Sequence, residues 1–215
     1  MLSNKKVLNI VSVDVKNQKN TVVKKIDLNV IVNWEMEKIS KVITWQQSIK
    51  RLGTHNTKDV SEIAYSTKKI RKQKGGGCAR ARNKGAVQFR GGATIFGPDG
   101  RKYDYKINKK EKVLGLKHAM SLKIQKKELF ILDKIDFSAS TVKAFLEFKK
   151  IHGIETNSVL LVDREKNEKI LKSINNIHEA NFLPVVGINV LSVVENQILI
   201  LSEEALKTLQ ERGII

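Results

Sequence analysis

A chain of 215 residues with 40 Lys+Arg against 22 Asp+Glu carries a formal charge of +18, which points to a polyanionic partner. Its length fits one domain, or one domain with an appendage, its 41% hydrophobic content supports a buried core, and the long apolar runs of its second half argue against full disorder. The single cysteine, Cys78, excludes an intramolecular disulfide framework and a thiolate-rich zinc site, no apolar run reaches the roughly 20 residues of a spanning helix, and the amino-terminal MLSNKKVLNI lacks the apolar core of a secretory signal.

VLNIVSVDV (7–15) reads as a strand, and TVVKKIDL (21–28) as a weaker one. From Val30 to Lys50 the apolar residues Ile31, Trp34, Ile39, Val42, Trp45 and Ile49 recur at helical spacing. Helical periodicity then vanishes between 52 and 106 and resumes in NKKEKVLGLKHAMSLKIQKK, where Val113, Leu116, Met120 and Ile124 share a face. Beyond it, ELFILDKI (128–135) is a strand and STVKAFLEFKKIH a helix with Ser140 or Thr141 as N-cap. SVLLVD (158–163) is a strand followed by the helix EKNEKILKSINNI; a short strand falls near 183–188, another at QILILS (197–202), and EEALKTLQERG closes the chain as a helix. Strands separated by helices predict βαβ units, and the runs LFIL, VLLV and ILIL suit strands covered on both faces. The expected fold class is therefore α/β: a three-layer domain with a mostly parallel sheet over residues 1–50 and 107–215, carrying an extended basic loop insertion at 51–106. A structureless loop of that length in a compact protein is expected to be functional.

The charge is concentrated in that insertion. Residues 50–112 hold 18 basic and 5 acidic side chains, whereas 113–215 hold 14 and 13. Within Lys68–Arg90 stand Lys68, Lys69, Arg71, Lys72, Lys74, Arg80, Arg82, Lys84 and Arg90, with no acid among them. Arginine is scarce, eight residues against 32 lysines, yet four of the eight lie in this window, and guanidinium forks match phosphate geometry and stack on bases. Eight of the 13 glycines lie between 75 and 100, so the segment lacks the apolar content to fold unaided. A solubility device would be monotonous lysine. Here Gln73, Asn83 and Gln88 and the single apolar residues Ile70, Val87, Phe89, Ile95 and Phe96 are interspersed, as stacking on unpaired bases and reading of base edges require. Membrane binding is disfavoured because no amphipathic basic helix occurs in 52–106, and DNA reading because no recognition helix is visible.

Enzymatic constellations are weak. The glycine runs 75–77 and 91–92 are not followed by Lys-Ser/Thr, so no phosphate-binding nucleotide loop is formed. Cys78 lies among cations that favour a thiolate, but no histidine is near it in sequence. His55, His118, His152 and His178 are scattered without metal-ligand spacing, and His118 and His152 are expected on or beside helices with no chemical role. The expectation is a non-enzyme with no catalytic residues, no metal and no cofactor.

The residues of the insertion carry a resemblance. Arg51-x-Gly-Thr-His-x-Thr-Lys58, then Lys72-Gln-Lys-Gly-x-Gly77 with Ala79-Arg80, then Gln88-Phe-Arg-Gly-Gly92 and Phe96-Gly-Pro98 closely resemble the universal L-four family of large-subunit ribosomal proteins, in its bacterial and organellar form. The α/β pattern outside the motifs is compatible, so the resemblance covers nearly the whole chain. It implies a structural constituent of the large subunit, binding large-subunit rRNA and neighbouring ribosomal proteins as a monomer within the ribosome, with roles in subunit assembly and translation. It implies no membrane and no small-molecule substrate. The loop is expected to reach toward the nascent-peptide exit tunnel, with Lys72, Gln73, Lys74, Gly75 and Arg80 as tip residues. Gly77 and the segment up to Arg90, Gly91 and Gly92 follow, and Arg51, His55, Lys58 and Arg101 belong to the stems. Cys78 stands where many members have arginine, Gly76 replaces a common threonine, Val87 a proline and Ala93 a glycine. Abundant Lys, Ile and Asn suggest an A+T-rich genome, compatible with a reduced bacterium or an organelle; no clear transit peptide is seen, so the cytoplasm of a bacterium is the expected setting and a mitochondrial ribosome the alternative. Some bacterial members of the family that these motifs resemble also repress their own operon through its messenger RNA.

Overall fold

The structure, a computed structural model, describes residues 8–137, 140–154 and 158–215. Val7 of the first predicted strand and most of the segment read for a secretory signal lie outside the described residues. The chain divides into two units, one built from residues 1–47 and 106–215, the other from 48–105.

The first unit is organised by a six-stranded sheet. Its strands are β1 (Leu8–Lys16), β2 (Val22–Ile31), β3 (Leu129–Leu132), β4 (Val159–Asp163), β5 (Ala180–Pro184) and β6 (Ile198–Ser202), in the spatial order β2-β1-β3-β6-β4-β5. β1 and β2 form an antiparallel hairpin, and all other pairings are parallel. The helices are α1 (Met36–Lys50), α2 (Lys109–Gln125), α3 (Val142–Ile151), α4 (Glu168–Ile174), α5 (Val190–Glu195) and α6 (Glu203–Glu211). The mostly parallel α/β class predicted from the apolar runs is what forms.

Period-two alternation inside those runs builds both faces at once. Leu199 and Leu201 of β6, with Leu160 and Val162 of β4, join Ile39 of α1, Met120 of α2, Val193 of α5 and Leu206 of α6 in one core. Ile198 and Ile200, with Val159 and Leu161, join Phe145 and Phe148 of α3 and Ile170 and Ile174 of α4 in the other. The three layers follow from a continuous apolar run whose successive side chains point to opposite sides.

Several boundaries differ from the sequence reading. Val30 and Ile31 belong to β2, because Leu28 and Val30 alternate into the core with period two and override the helical spacing. The chain then turns where Gln125 accepts from Trp34 Nε1 at 2.8 Å and donates to the Val32 carbonyl at 2.9 Å, so α1 starts only at Met36. Val113 is exposed, so the buried face of α2 runs through Leu116, Met120 and Ile124. The strand expected near 183–188 is β5, ending at Pro184, which lacks the N–H to extend a ladder; residues 185–187 form a 3-10 turn instead. Thr141 is the N-cap of α3, accepting from the Ala144 N–H.

Among the described residues, the buried side-chain nitrogens and oxygens of this unit are partnered with one exception. Lys123, 6% exposed, donates to Glu128 Oε2 at 2.7 Å and to the Gln197 carbonyl at 2.8 Å, so its charge is compensated. His118 accepts the Glu35 N–H through Nδ1 at 3.0 Å. His152, which ends α3, has a buried Nε2 without a partner among the described residues and packs its ring 4.5 Å from that of Phe148. Burial, and then the positive charge of Lys16, hold its pKa below the usual histidine value of 6.5. The unfolded chain therefore binds the extra proton first, and stability falls as pH drops from 6.5 toward the folded-state value. His152→Leu is expected to gain urea resistance over the parent at pH 5.5 relative to pH 8. Parallel midpoint-against-pH curves for the two proteins would show that His152 does not titrate in this way.

Candidate nucleic-acid interface

From 51 to 107 the chain forms neither helix nor strand. Its glycines and cations supply no apolar face for packing, so the backbone must find partners across an outward and a returning limb. The Thr57 N–H donates to the Pro98 carbonyl at 3.0 Å, the Thr94 N–H to the Lys58 carbonyl at 3.2 Å, and the Ile70 N–H to the Arg82 carbonyl at 3.1 Å. The pairs run in antiparallel sense. On the returning limb, Asn83–Gly92 winds through successive turns: Ala86 donates to Asn83, Phe89 to Ala86 and Gly92 to Phe89. Ala93 closes this stretch by donating to Gly85 at 3.0 Å and is 3% exposed. Gly85 itself lies against the Tyr65 ring.

Beyond the Ile70–Arg82 bond every residue from Arg71 to Arg80 is exposed. Gly75 and Gly77 take φ of +83° and +61°, turning the chain back with a backbone that residues bearing a Cβ rarely adopt. The expected tip residues Lys72, Gln73, Lys74, Gly75 and Arg80 all fall on this turn, and Lys69 donates to the Gln73 amide oxygen. Lys68, Arg82 and Lys84 flank it, and Gly77 is part of it. Phe89 is half-buried among the turns, with Arg90 and Gly91 exposed after it and Gly92 half-buried. Phe96 is fully exposed at φ +57°. Lys58 contributes its carbonyl to the limb pairing, and its side chain is exposed.

Residues 51–105 hold thirteen basic and four acidic side chains. Among the described residues, none of those cations forms an ion pair; the eight pairs found all lie outside this segment. A cationic surface left without internal counterions recruits external anions. At the base of the limbs Arg51, His55 and Arg101 come together on Tyr103, which sequence reading passed over. Arg51 Cζ lies 3.8 Å and Arg101 Cζ 4.9 Å from the Tyr103 ring centroid, and Tyr103 Oη is 3.0 Å from His55 Nε2. The available signal was an aromatic between Arg101 and Asp104 in a cation-rich stretch; its partner on the other limb is invisible to local patterning. Among the described residues, no group of His, Cys, Asp or Glu is arranged to hold a metal ion, and no helix is long and apolar enough to cross a membrane.

Fold and limbs together define a class: an α/β protein with an irregular, cationic, internally unneutralised insertion. Comparison with known proteins narrows it. The profile of the Ribosomal protein L4/L1 family matches residues 29–212. The chain is 40% identical over 190 residues to the large ribosomal subunit protein uL4 of Ehrlichia chaffeensis, covering 87% of this chain and 92% of the relative. It is 42% identical over 175 residues to that of Rhodospirillum rubrum (81% and 84%), and 38% over 173 residues to that of Aquifex pyrophilus (80% and 87%). The chain belongs to the ribosomal protein L4/L1 family, the one its insertion motifs resemble.

Proposed function

We propose that this protein is a structural constituent of the large ribosomal subunit, with no enzymatic role, acting in subunit assembly and translation in the cytoplasm of a bacterium. The α/β unit anchors on large-subunit rRNA and meets neighbouring ribosomal proteins. The insertion at 51–106 threads into the RNA toward the nascent-peptide exit tunnel, with Lys72, Gln73, Lys74, Gly75 and Arg80 foremost. The observation that carries this reading is the set of exposed cations that have no carboxylate partner among the described residues. Their charge is available to replace counterions between crowded phosphates, and phosphate contacts of this kind set position as well as affinity. The relatives, each named as a large ribosomal subunit protein, support the same assignment.

Sedimentation of a lysate through a high-salt sucrose gradient tests it. The chain is expected to stay with the large subunit after washing. Recovery at the top of the gradient, free of rRNA, would overturn the assignment and favour a free regulator of messenger RNA.

A further inference from the structure

The base of the two limbs is built more closely than RNA neutralisation alone demands. Gly53 takes φ +64°, and a Cβ there would run into the Arg101 carbonyl oxygen and stand 3.2 Å from Tyr103 Cδ2. Only glycine lets the outward limb close on residues 101–103 at this point. That closure sets Arg51, two residues before Gly53, over the Tyr103 ring at 3.8 Å, while Arg101 reaches the same ring from the returning limb at 4.9 Å. Both distances lie within the roughly 6 Å over which a ring quadrupole attracts a cation. The ring is fixed by its own hydroxyl, 3.0 Å from His55 Nε2, and by the His55 ring, 5.8 Å away and inclined by 29°.

Two guanidinium groups drawn to one ring repel each other, and among the described residues no carboxylate pairs with either. Arg51 and Arg101 are exposed, while Tyr103 is half-buried beneath them. An arrangement that spends backbone closure and an aromatic platform to gather uncompensated forks is suited to one anion that accepts from both. The chain has eight arginines against 32 lysines, and two of those eight stand here, where planarity permits stacking and forked donation together.

We propose that Tyr103 is a positioning residue that holds Arg51 and Arg101 as a two-armed clamp for a phosphodiester of structured RNA, with Gly53 closing the clamp and His55 fixing the ring. The clamp rests on the rRNA-binding reading given above, and it adds a residue that acts on RNA only through its neighbours.

The test uses the full chain and a transcript of large-subunit rRNA, with affinity measured over a range of KCl concentrations. Arg51→Ala and Tyr103→Leu are each expected to weaken binding about tenfold, the scale of a lost charged hydrogen bond, and the double variant by no more than about twofold beyond the worse single one. Tyr103→Phe keeps the ring and is expected to retain most of the affinity. Because leucine at 103 also disturbs the limb itself, Arg51→Lys and Arg101→Lys give an independent arm. Each preserves the salt dependence while losing stacking, so affinity falls in the parent background and not in Tyr103→Leu. Multiplicative losses in the double variant, or a Tyr103→Phe protein as weak as Tyr103→Leu, would overturn the clamp while leaving rRNA binding intact. If the unaltered chain binds the transcript no better than an unrelated RNA of equal length, the functional reading falls and the clamp with it.

Discussion

Replacing Arg71, Lys72, Lys74, Arg80 and Arg82 by glutamine is expected to weaken binding to large-subunit rRNA by two to three orders of magnitude at physiological salt. It should also flatten the dependence of log K on log[salt] by about 3.5 to 4.5, since each of the five phosphate contacts contributes a slope of about 0.7 to 0.9. All five side chains are exposed and none forms an ion pair among the described residues, so their removal should cost the fold little. Indeed it relieves like-charge repulsion within the segment. The melting midpoint of the α/β unit should therefore stay in place while RNA binding collapses. Replacing only Arg71, Arg80 and Arg82 by lysine separates charge from shape. The salt slope should be kept and the affinity should still drop, because a lysine presents a point charge where arginine presents a planar fork. An unchanged slope in the five-fold glutamine variant would mean that the tip does not touch phosphate, and that RNA is held elsewhere.

That division between charge and fold also explains what was legible in the amino-acid sequence. The runs VLLV and ILIL announce strands buried on both sides because each successive residue is apolar, and both layers of helices follow from that alone. The cationic segment stands out for the opposite reason: Lys68–Arg90 is mostly cations, glycines and amides, with few apolar residues to bury. Ambiguity falls where two periods coincide, as at Val30 and Ile31, which fit a helix on spacing and a strand on burial. The burial of Leu28 and Val30 against α2 decides the matter. α5 is six residues long and rich in valine, too short and too β-branched for any helical period to emerge; its N-terminus is secured by Asn189, which accepts the Ser192 N–H at 2.8 Å. Tyr103 lies beyond the reach of local pattern for a geometric reason. Its partner Arg51 is half a hundred residues upstream, and only the limb closure at Gly53 brings the two together. Composition can announce a cationic segment, but not which aromatic lies beneath which arginine.

The α/β unit stands to lose most from the second expected result: Phe145→Ala should destabilise it by about 3 to 5 kcal/mol, a large fraction of the roughly 5 to 15 kcal/mol that keeps a domain folded. Phe145 is fully buried on α3, and its ring lies 5.9 Å from that of Phe137 and 6.3 Å from that of Phe148. Val159, Leu161 and Ile200 of the sheet complete the same core. Truncation removes the aromatic contacts and leaves a cavity whose walls are held by strands on one side and α4 on the other, so collapse cannot fill it. Urea denaturation followed through Trp34 and Trp45 reads the effect, because both tryptophans pack against the opposite core and report the unit as a whole rather than the altered site. Phe145→Leu should lose distinctly less, since it keeps most of the buried volume. A Phe145→Ala loss below about 1 kcal/mol would mean that the layer formed by α3 and α4 is not cooperative with the sheet. The limbs meanwhile carry their own backbone closures at Thr57–Pro98 and Ile70–Arg82. The variant therefore asks whether RNA affinity survives partial loss of the α/β unit. Because the tip cations form no ion pair among the described residues, binding at low salt should persist at urea concentrations that already melt that unit, while high-salt binding, which depends on fixed geometry more than on charge, should vanish with the fold.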